Sequence, residues 1–435
     1  MENNYSFSKI IHLFSKLKAI DFFIVLIFIS LPLKNIFISI ATILFVSWSF
    51  FFSKKEINTN KIYYLPIAFF VTMIISLSWS YNFNSTFFGI KKQLSFLFIP
   101  MVFFLFPKRN KEDLNFIFRT FSFGMVVCAL FCLGKALISY MRTNDINHFF
   151  YKNLVPSDPG AIYMSVFASF ALFYFIQIKN KSDLEKVGLT FLIIFTFLLS
   201  SKSIITIDFI IIICYYTFYV TIPSGTKAIT IISVSAFLIF SVVYVKKVRE
   251  RFLIEYETAF IDNTLNYDLT KDKLNVYNVS ISEAWNKKDF HQNSYFPGTA
   301  LRVYQIRVFL EIFSEQKLFF SGFGLEGSQE FIRSKAKEHN LLPIYGEYNF
   351  HNQYLQTFAD LGVLGILLLL AMLSINLKNA LHSKNFMHLA FAITAIVLFL
   401  SESFFCRQRG IVFFILLYCL FNGTTSKESQ EIKST

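Results

Sequence analysis

Apolar runs of roughly 17 to 25 residues recur along most of this chain, and that recurrence limits its fold more than any other feature. About 20 apolar residues wound as helix cross the roughly 30 Å of hydrocarbon in a bilayer. Strands of a membrane barrel would alternate polar and apolar residues over about ten positions, and these runs do not alternate. The expected spans are 20–33, 36–53, 62–79, 88–106, 114–140, 160–178, 188–200, 203–221, 228–245, 358–377, 387–401 and 410–422, about twelve in all. Composition agrees: 54% of the 435 residues are hydrophobic, 58 are phenylalanine, and the mean hydropathy is +0.52. These values lie well above those of an ordinary soluble domain. The expected fold class is therefore all-α, a polytopic integral membrane protein.

The net charge of +13 would raise the question of nucleic acid in a soluble protein. Here the lysines cluster between spans, which is the pattern of cytoplasmic loops and not of a basic stripe, so no nucleic-acid partner is expected. With the N-terminus inside, roughly seventeen Lys and Arg fall on the cytoplasmic side against six in short outer connections. That bias places both termini in the cytoplasm. Residues 1–245 then hold nine spans, 246–357 a large outer loop, 358–422 three further spans and 423–435 a cytoplasmic tail. No cleavable leader is expected, because the first apolar stretch runs directly into further spans without a small-residue cleavage site.

The outer loop is where soluble chemistry has to reside. At its centre stands "FPGTALRVYQIRVFLEIFSEQKLFFSGFGLEG", residues 296–327. From Leu301 to Phe313 the apolar residues are dense but interrupted by Arg302, Gln305 and Arg307, which reads as an amphipathic helix lying at the outer membrane surface. The glycine turn "SGFGLEG" is its stop.

Several chemistries lack their residues. No G-x-x-x-x-G-K-[ST] is present, and "GFGLEG" has neither the preceding strand nor the βαβ setting of a nucleotide loop. The seven histidines are scattered without H-E-x-x-H or Cys/His ligand spacing, so no metal and no other cofactor is expected. The five cysteines imply no disulfide framework, and no outward D-x-D pair suggests a divalent-metal glycosyltransferase. Cations and one histidine remain at the outer face. Such a set suits a phosphate-bearing substrate, since guanidinium and ammonium groups stabilise phosphoryl oxygens and a neutral imidazole can accept a hydroxyl proton.

That histidine is His351, in "HNQYLQTFADLGVLG" (351–365). On a helix starting there, Leu355, Phe358, Gly362 and Gly365 lie within about 40° of it around the axis. The two glycines would admit a neighbouring span closely and so fix the helix. Counting up from Lys378 as the inner boundary sets His351 some 10 Å above the hydrocarbon edge, at headgroup height. The alternative is an interfacial histidine beside an N-cap-like Asn352. Lys91, Lys92, Lys135 and Asp208 lie within or near the ends of apolar runs, with functional or pairing roles both open.

The motif H-N, nine residues, G, two residues, G resembles the signature of the O-antigen ligase and polymerase superfamily of bacterial membrane glycosyltransferases. The helix beginning "ALRVYQIRVF", its glycine turn, the external loop before the last three spans and the connection "SESFFCRQRG" are similar as well. The resemblance implies a GT-C-like enzyme in the bacterial inner membrane. It would move a glycan from undecaprenyl diphosphate, at the periplasmic face and without a metal, to a lipid A-core or other saccharide acceptor. It also implies that His351 is the base or orients the acceptor, and that Arg302 holds the donor diphosphate, with Lys202, Arg307 and Arg409 as further donor contacts. Asn352, Gly362 and Gly365 would support them. Lys202 stands where the family tends to carry arginine and lacks the bidentate fork, so snorkelling to the interface is an equal reading. Arg307 points about 140° away from Arg302 and suits lipid headgroups, while Arg409 also reads as an interface anchor. Ligase, polymerase and protein glycosylation remain open. A transporter of lipid-linked sugars is disfavoured because similar halves and broken mid-membrane helices are not evident.

Overall fold

The computed structural model describes residues 19–52, 58–105, 111–156, 158–199, 201–221, 223, 225–229, 232, 249, 256, 258–266 and 275–423. Over the described residues every expected span overlaps helix, 88–106 over two helices, except 228–245, most of which lies outside the described residues. Among the described residues, five helices are long and apolar enough to cross a membrane: Lys61–Ser78, Phe83–Phe104, Glu112–Thr143, Lys202–Tyr219 and Gln353–Ser383. Shorter apolar helices among the described residues include Ala19–Ser30, Asn35–Phe51, Ala161–Gln177, Phe386–Leu398 and Gln408–Asn422.

The chain divides into two compact units. The first comprises Met1–Tyr63, Leu97–Ser201 and Val412–Thr435. It packs α1 (Ala19–Ser30), α2 (Asn35–Phe51), α6 (Lys111–Thr143), α7 (Ala161–Gln177) and α8 (Asp183–Leu199) with parts of α5 (Ser95–Phe104) and α15 (Gln408–Asn422). From Val412 to Phe421, α15 is buried on every side, as a helix apolar all round must be. Phenylalanines close the interior: Phe118 meets Phe28 at 6.1 Å, Phe170 at 5.5 Å and Phe421 at 5.3 Å between centroids. The outside is equally greasy. α2 exposes Ile36, Ile40, Ile43 and Leu44, and α6 exposes Val127 and Phe131. Apolar surface on this scale is stable only against lipid or a partner.

The second unit, Tyr64–Phe96 and Lys202–Ile411, holds the outer-loop sequence. It contains α3 (Tyr64–Ile75), α4 (Phe83–Lys92), α9 (Lys202–Cys214), α10 (Ile281–Asn286), α11 (Gly298–Gln316), α12 (Gln329–Glu338), α13 (Gln353–Ser383) and α14 (Phe386–Leu398). Three two-residue strands form a small sheet: β1 (Thr264–Leu265) runs antiparallel to β2 (Tyr277–Asn278), which runs parallel to β3 (Ser294–Tyr295). Ser280 and Glu283 make a capping box that starts α10 directly after β2.

Helix α11 organises this unit. Ala300, Tyr304, Val308 and Ile312 recur every four residues and share one buried stripe with Phe309 and Phe313. The stripe faces a core that includes Phe290, Phe296, Phe323, Ile332, Tyr345 and Phe350. Expected as an amphipathic helix on the membrane surface, α11 instead spends its apolar face inside the unit. The reason is local supply: the flanking loop carries enough aromatic residues to cover that stripe. Its stop is Lys317, in left-handed conformation at φ 53°.

Candidate active site

The imidazole of His351 does not begin a helix. His351 adopts φ 47°, its amide donates to Asn349 Oδ1 at 2.9 Å, and α13 starts two residues later with Asn352 as N-cap. Asn352 Oδ1 accepts from the Leu355 amide at 3.0 Å, the cap its residue type favours. The turn is then stitched to the connection after α14. The Asn352 amide donates to Ser403 Oγ at 3.1 Å, Asn352 Nδ2 donates to the Leu400 carbonyl at 3.2 Å, and the Gln353 amide donates to the Phe399 carbonyl at 2.8 Å.

This stitching brings Glu402 to His351. Its Oε2 lies 3.8 Å from His351 Nδ1, and its Oε1 lies 3.4 Å from Arg302 Nη2. Arg302 also donates from Nε to the Ser401 carbonyl and from Nη1 to the Gly298 carbonyl, both at 3.0 Å. Arginine, carboxylate and imidazole thus form one chain, with side chains 31%, 13% and 24% exposed. Three of the five guanidinium N–H groups are engaged, which leaves two for a ligand. On the imidazole, Nε2 is covered and has no hydrogen-bond partner among the described residues. An orphaned buried nitrogen costs about 1–3 kcal/mol, which a substrate hydroxyl would recover. The Tyr348 ring stands edge-on to the imidazole, 5.7 Å between centroids.

The glycines of the motif serve a different end from the one expected. Gly362, at φ 63° and ψ −157°, interrupts α13 between 353–361 and 363–383. A Cβ there would stand 2.1 Å from the Phe320 carbonyl oxygen. Backbone from the glycine turn fills the break: the Val363 amide donates to the Phe319 carbonyl at 3.1 Å, and the Phe323 amide to the Ala359 carbonyl at 2.8 Å. A close neighbour is indeed admitted, but it is this turn and not another span. Gly365 makes room for Leu361, whose Cβ would lie 2.3 Å from an added methyl. His351 and Gly362 therefore share no continuous helix face.

The short helical stretch before the break is polar inside. Gln353, Gln356, Thr357 and Asp360 are all buried along one side. Gln356 Nε2 donates to Asp360 Oδ2 at 3.1 Å, Ser328 Oγ donates to Oδ1 at 3.2 Å, and the Phe405 amide donates to Gln353 Oε1 at 2.7 Å. These bonds fix the floor on which the histidine turn rests.

The other expected donor contacts stand elsewhere. Arg307 is 8% exposed and saturated within the unit, donating from Nε to Glu311 at 2.7 Å and from Nη1 to the Lys287 carbonyl at 2.6 Å. It sits beside His339, whose pKa burial holds below the ordinary histidine value, and Tyr304, whose phenol burial pushes up. Its place is structural, because the apolar core turned that side of α11 inward. Arg409 is 1% exposed in the first turn of α15, and Lys202 opens α9; neither belongs to the bonds around His351 described above. Lys92 pairs with Glu326 of the glycine turn at 2.7 Å. Glu402, Ser403, Tyr348 and Asp360 were not singled out from sequence. The one available signal was an acidic residue in an outer turn otherwise notable for its arginines.

Residues 187–370 match the family described as O-antigen ligase. Over that segment the chain is similar to the O-antigen ligase family. The match takes in Arg302, His351, Asn352, Gly362 and Gly365, so the resemblance read from the sequence holds over the stretch that carries its motif. Glu402 and Arg409 lie beyond it. No curated protein matches the chain.

Proposed function

We propose that this chain is a glycosyltransferase of the bacterial inner membrane that moves a glycan from undecaprenyl diphosphate to a saccharide acceptor, the lipid A core, at the periplasmic face. About twelve spans carry the site, with 246–357 outside. The observation that supports this most directly is the Arg302–Glu402–His351 chain inside an O-antigen ligase family setting. The acceptor hydroxyl oxygen forms a bond to the anomeric carbon of the donor sugar as the bond from that carbon to the diphosphate breaks. The diphosphate leaves with the electron pair, and the hydroxyl proton passes to His351. With Nδ1 turned to Glu402, Nε2 is the nitrogen left for the hydroxyl, and substrate must part its cover to reach it. Glu402 steadies the imidazolium across the ring, and the two spare N–H groups of Arg302 meet the departing phosphate.

Polymerase action, with a second lipid-linked repeat unit as acceptor, uses the same donor chemistry, and so does transfer to protein serines. Deleting the gene in the source bacterium and running lipopolysaccharide gels separates these readings. Loss of all ladder bands with lipid-linked polymer accumulating supports ligase. Core bearing a single repeat supports polymerase, and an unchanged gel points to protein or another polymer. Returning His351→Ala should fail to restore the ladder while the protein stays in the membrane; full restoration would end the proposal.

A further inference from the structure

Beside the imidazole stands a tyrosine that the transfer chemistry leaves unused. Tyr348 is half-buried, 5.7 Å from the His351 ring at 61°, and its hydroxyl has no partner among the described residues. Its own position is held from behind. Tyr345 packs edge-on against it at 5.9 Å. Tyr345 is itself fixed, donating its hydroxyl to the Ser294 carbonyl at 3.2 Å and accepting from the Phe296 amide at 3.3 Å. Burial pushes that phenol up to about 12, so it stays protonated as a donor. Gln329 Nε2 clamps the Gly346 carbonyl at 2.6 Å and the Tyr348 carbonyl at 3.4 Å. Pro343 at the start of the 3₁₀ turn Pro343–Glu347 stiffens the approach.

A held, partly exposed aromatic ring next to a proton acceptor fits a sugar better than a lipid tail or a phosphate. The axial C–H bonds of a pyranose carry partial positive charge and settle on the negative face of an aromatic ring, while its hydroxyls need separate polar partners. Here the free Tyr348 hydroxyl can supply one, and Asn349, whose Oδ1 is tied to the His351 amide, supplies another through its Nδ2. We infer that Tyr348 is the platform on which the acceptor's sugar ring stacks while one of its hydroxyls faces His351. This rests on the transfer reading proposed above.

The test is steady-state transfer by full-length protein in proteoliposomes, from an undecaprenyl-diphosphate glycan to rough lipopolysaccharide or to lipid-linked repeat unit. Tyr348→Ala and Tyr348→Leu should each raise the acceptor KM about tenfold and leave kcat within about threefold. Tyr348→Phe, which keeps the face, should recover most of that loss. The leucine variant keeps bulk against Tyr345, so it reports on the aromatic face even where the alanine variant fails to fold. A fall in kcat at unchanged KM would mean that Tyr348 only packs the imidazole, and would overturn the inference. So would an unaltered KM in both variants. Failure of the transfer reading has another signature: His351→Ala would keep its kcat whatever the Tyr348 variants do.

Discussion

An imidazole alone at a membrane surface is uninformative; an imidazole with a carboxylate behind one nitrogen and an orphaned nitrogen on the other edge has a direction. Glu402 supplies that direction, 3.8 Å from Nδ1, and Arg302 holds Glu402 while tying down the Ser401 carbonyl. In the proposed transfer Glu402→Gln would remove the charge that steadies the imidazolium but keep the shape, and should slow transfer by about 10²-fold at unchanged membrane abundance. If the two residues act on one proton, as the proposed transfer requires, the double variant with His351→Ala should be no slower than His351→Ala alone. Initial rates of all three proteins check this, and additive losses would separate Glu402 from the histidine. The sequence pointed to His351 and Arg302 through their motif, but Glu402 sits some fifty residues after the histidine. Only the hydrogen bonds from Asn352 and Gln353 to Phe399, Leu400 and Ser403 reveal that pairing, and no local periodicity encodes them.

Helix α13 shows why spacing can be read correctly and its cause missed. The pattern H-N-x9-G-x-x-G resembles a continuous helical face, and residues 353–361 and 363–383 are indeed helical. What periodicity cannot display is a φ of 63° with ψ −157°, a conformation open essentially to glycine alone. The break lets the 319–323 backbone bond into α13, and so fastens the loop carrying Arg302 to the helix that follows His351. Gly362→Ala should therefore destabilise the protein by about 3 kcal/mol or more, from backbone strain plus overlap with the Phe320 carbonyl. Thermal melting of the detergent-solubilised protein, with Leu364→Ala at a 55% exposed site as the control, measures it. A Gly362→Ala midpoint equal to the control's would mean that the break is not required. For α11 the helix is legible in the sequence but the cover of its apolar stripe is not, because such a stripe looks alike whether lipid or a neighbouring loop covers it.

Across the whole molecule the apolar helices were the most legible feature, since long apolar runs of the kind hydrocarbon demands are read directly from residue order. The break at Gly362 would move the expected membrane surface toward the C-terminal end of α13. Residues 363–383 alone are about 31 Å long as helix, enough to cross the hydrocarbon without residues 353–361. On that expectation the buried polar side chains of the first segment, Gln353, Gln356 and Asp360, would stand above the bilayer together with the His351 turn, where their hydrogen bonds are less costly to maintain. Lysine and arginine counts predict an orientation for this arrangement, with residues 246–357 outside and the C-terminus inside. Fusion reporters test the orientation directly. Alkaline phosphatase joined after Asn286, at the end of α10, should be active, and a fluorescent protein joined after Gly423 should glow in the cytoplasm. An inactive phosphatase with a dark C-terminal reporter, both chains being present in the membrane, would invert the topology and put His351 on the wrong side for a lipid-linked donor presented to the periplasm.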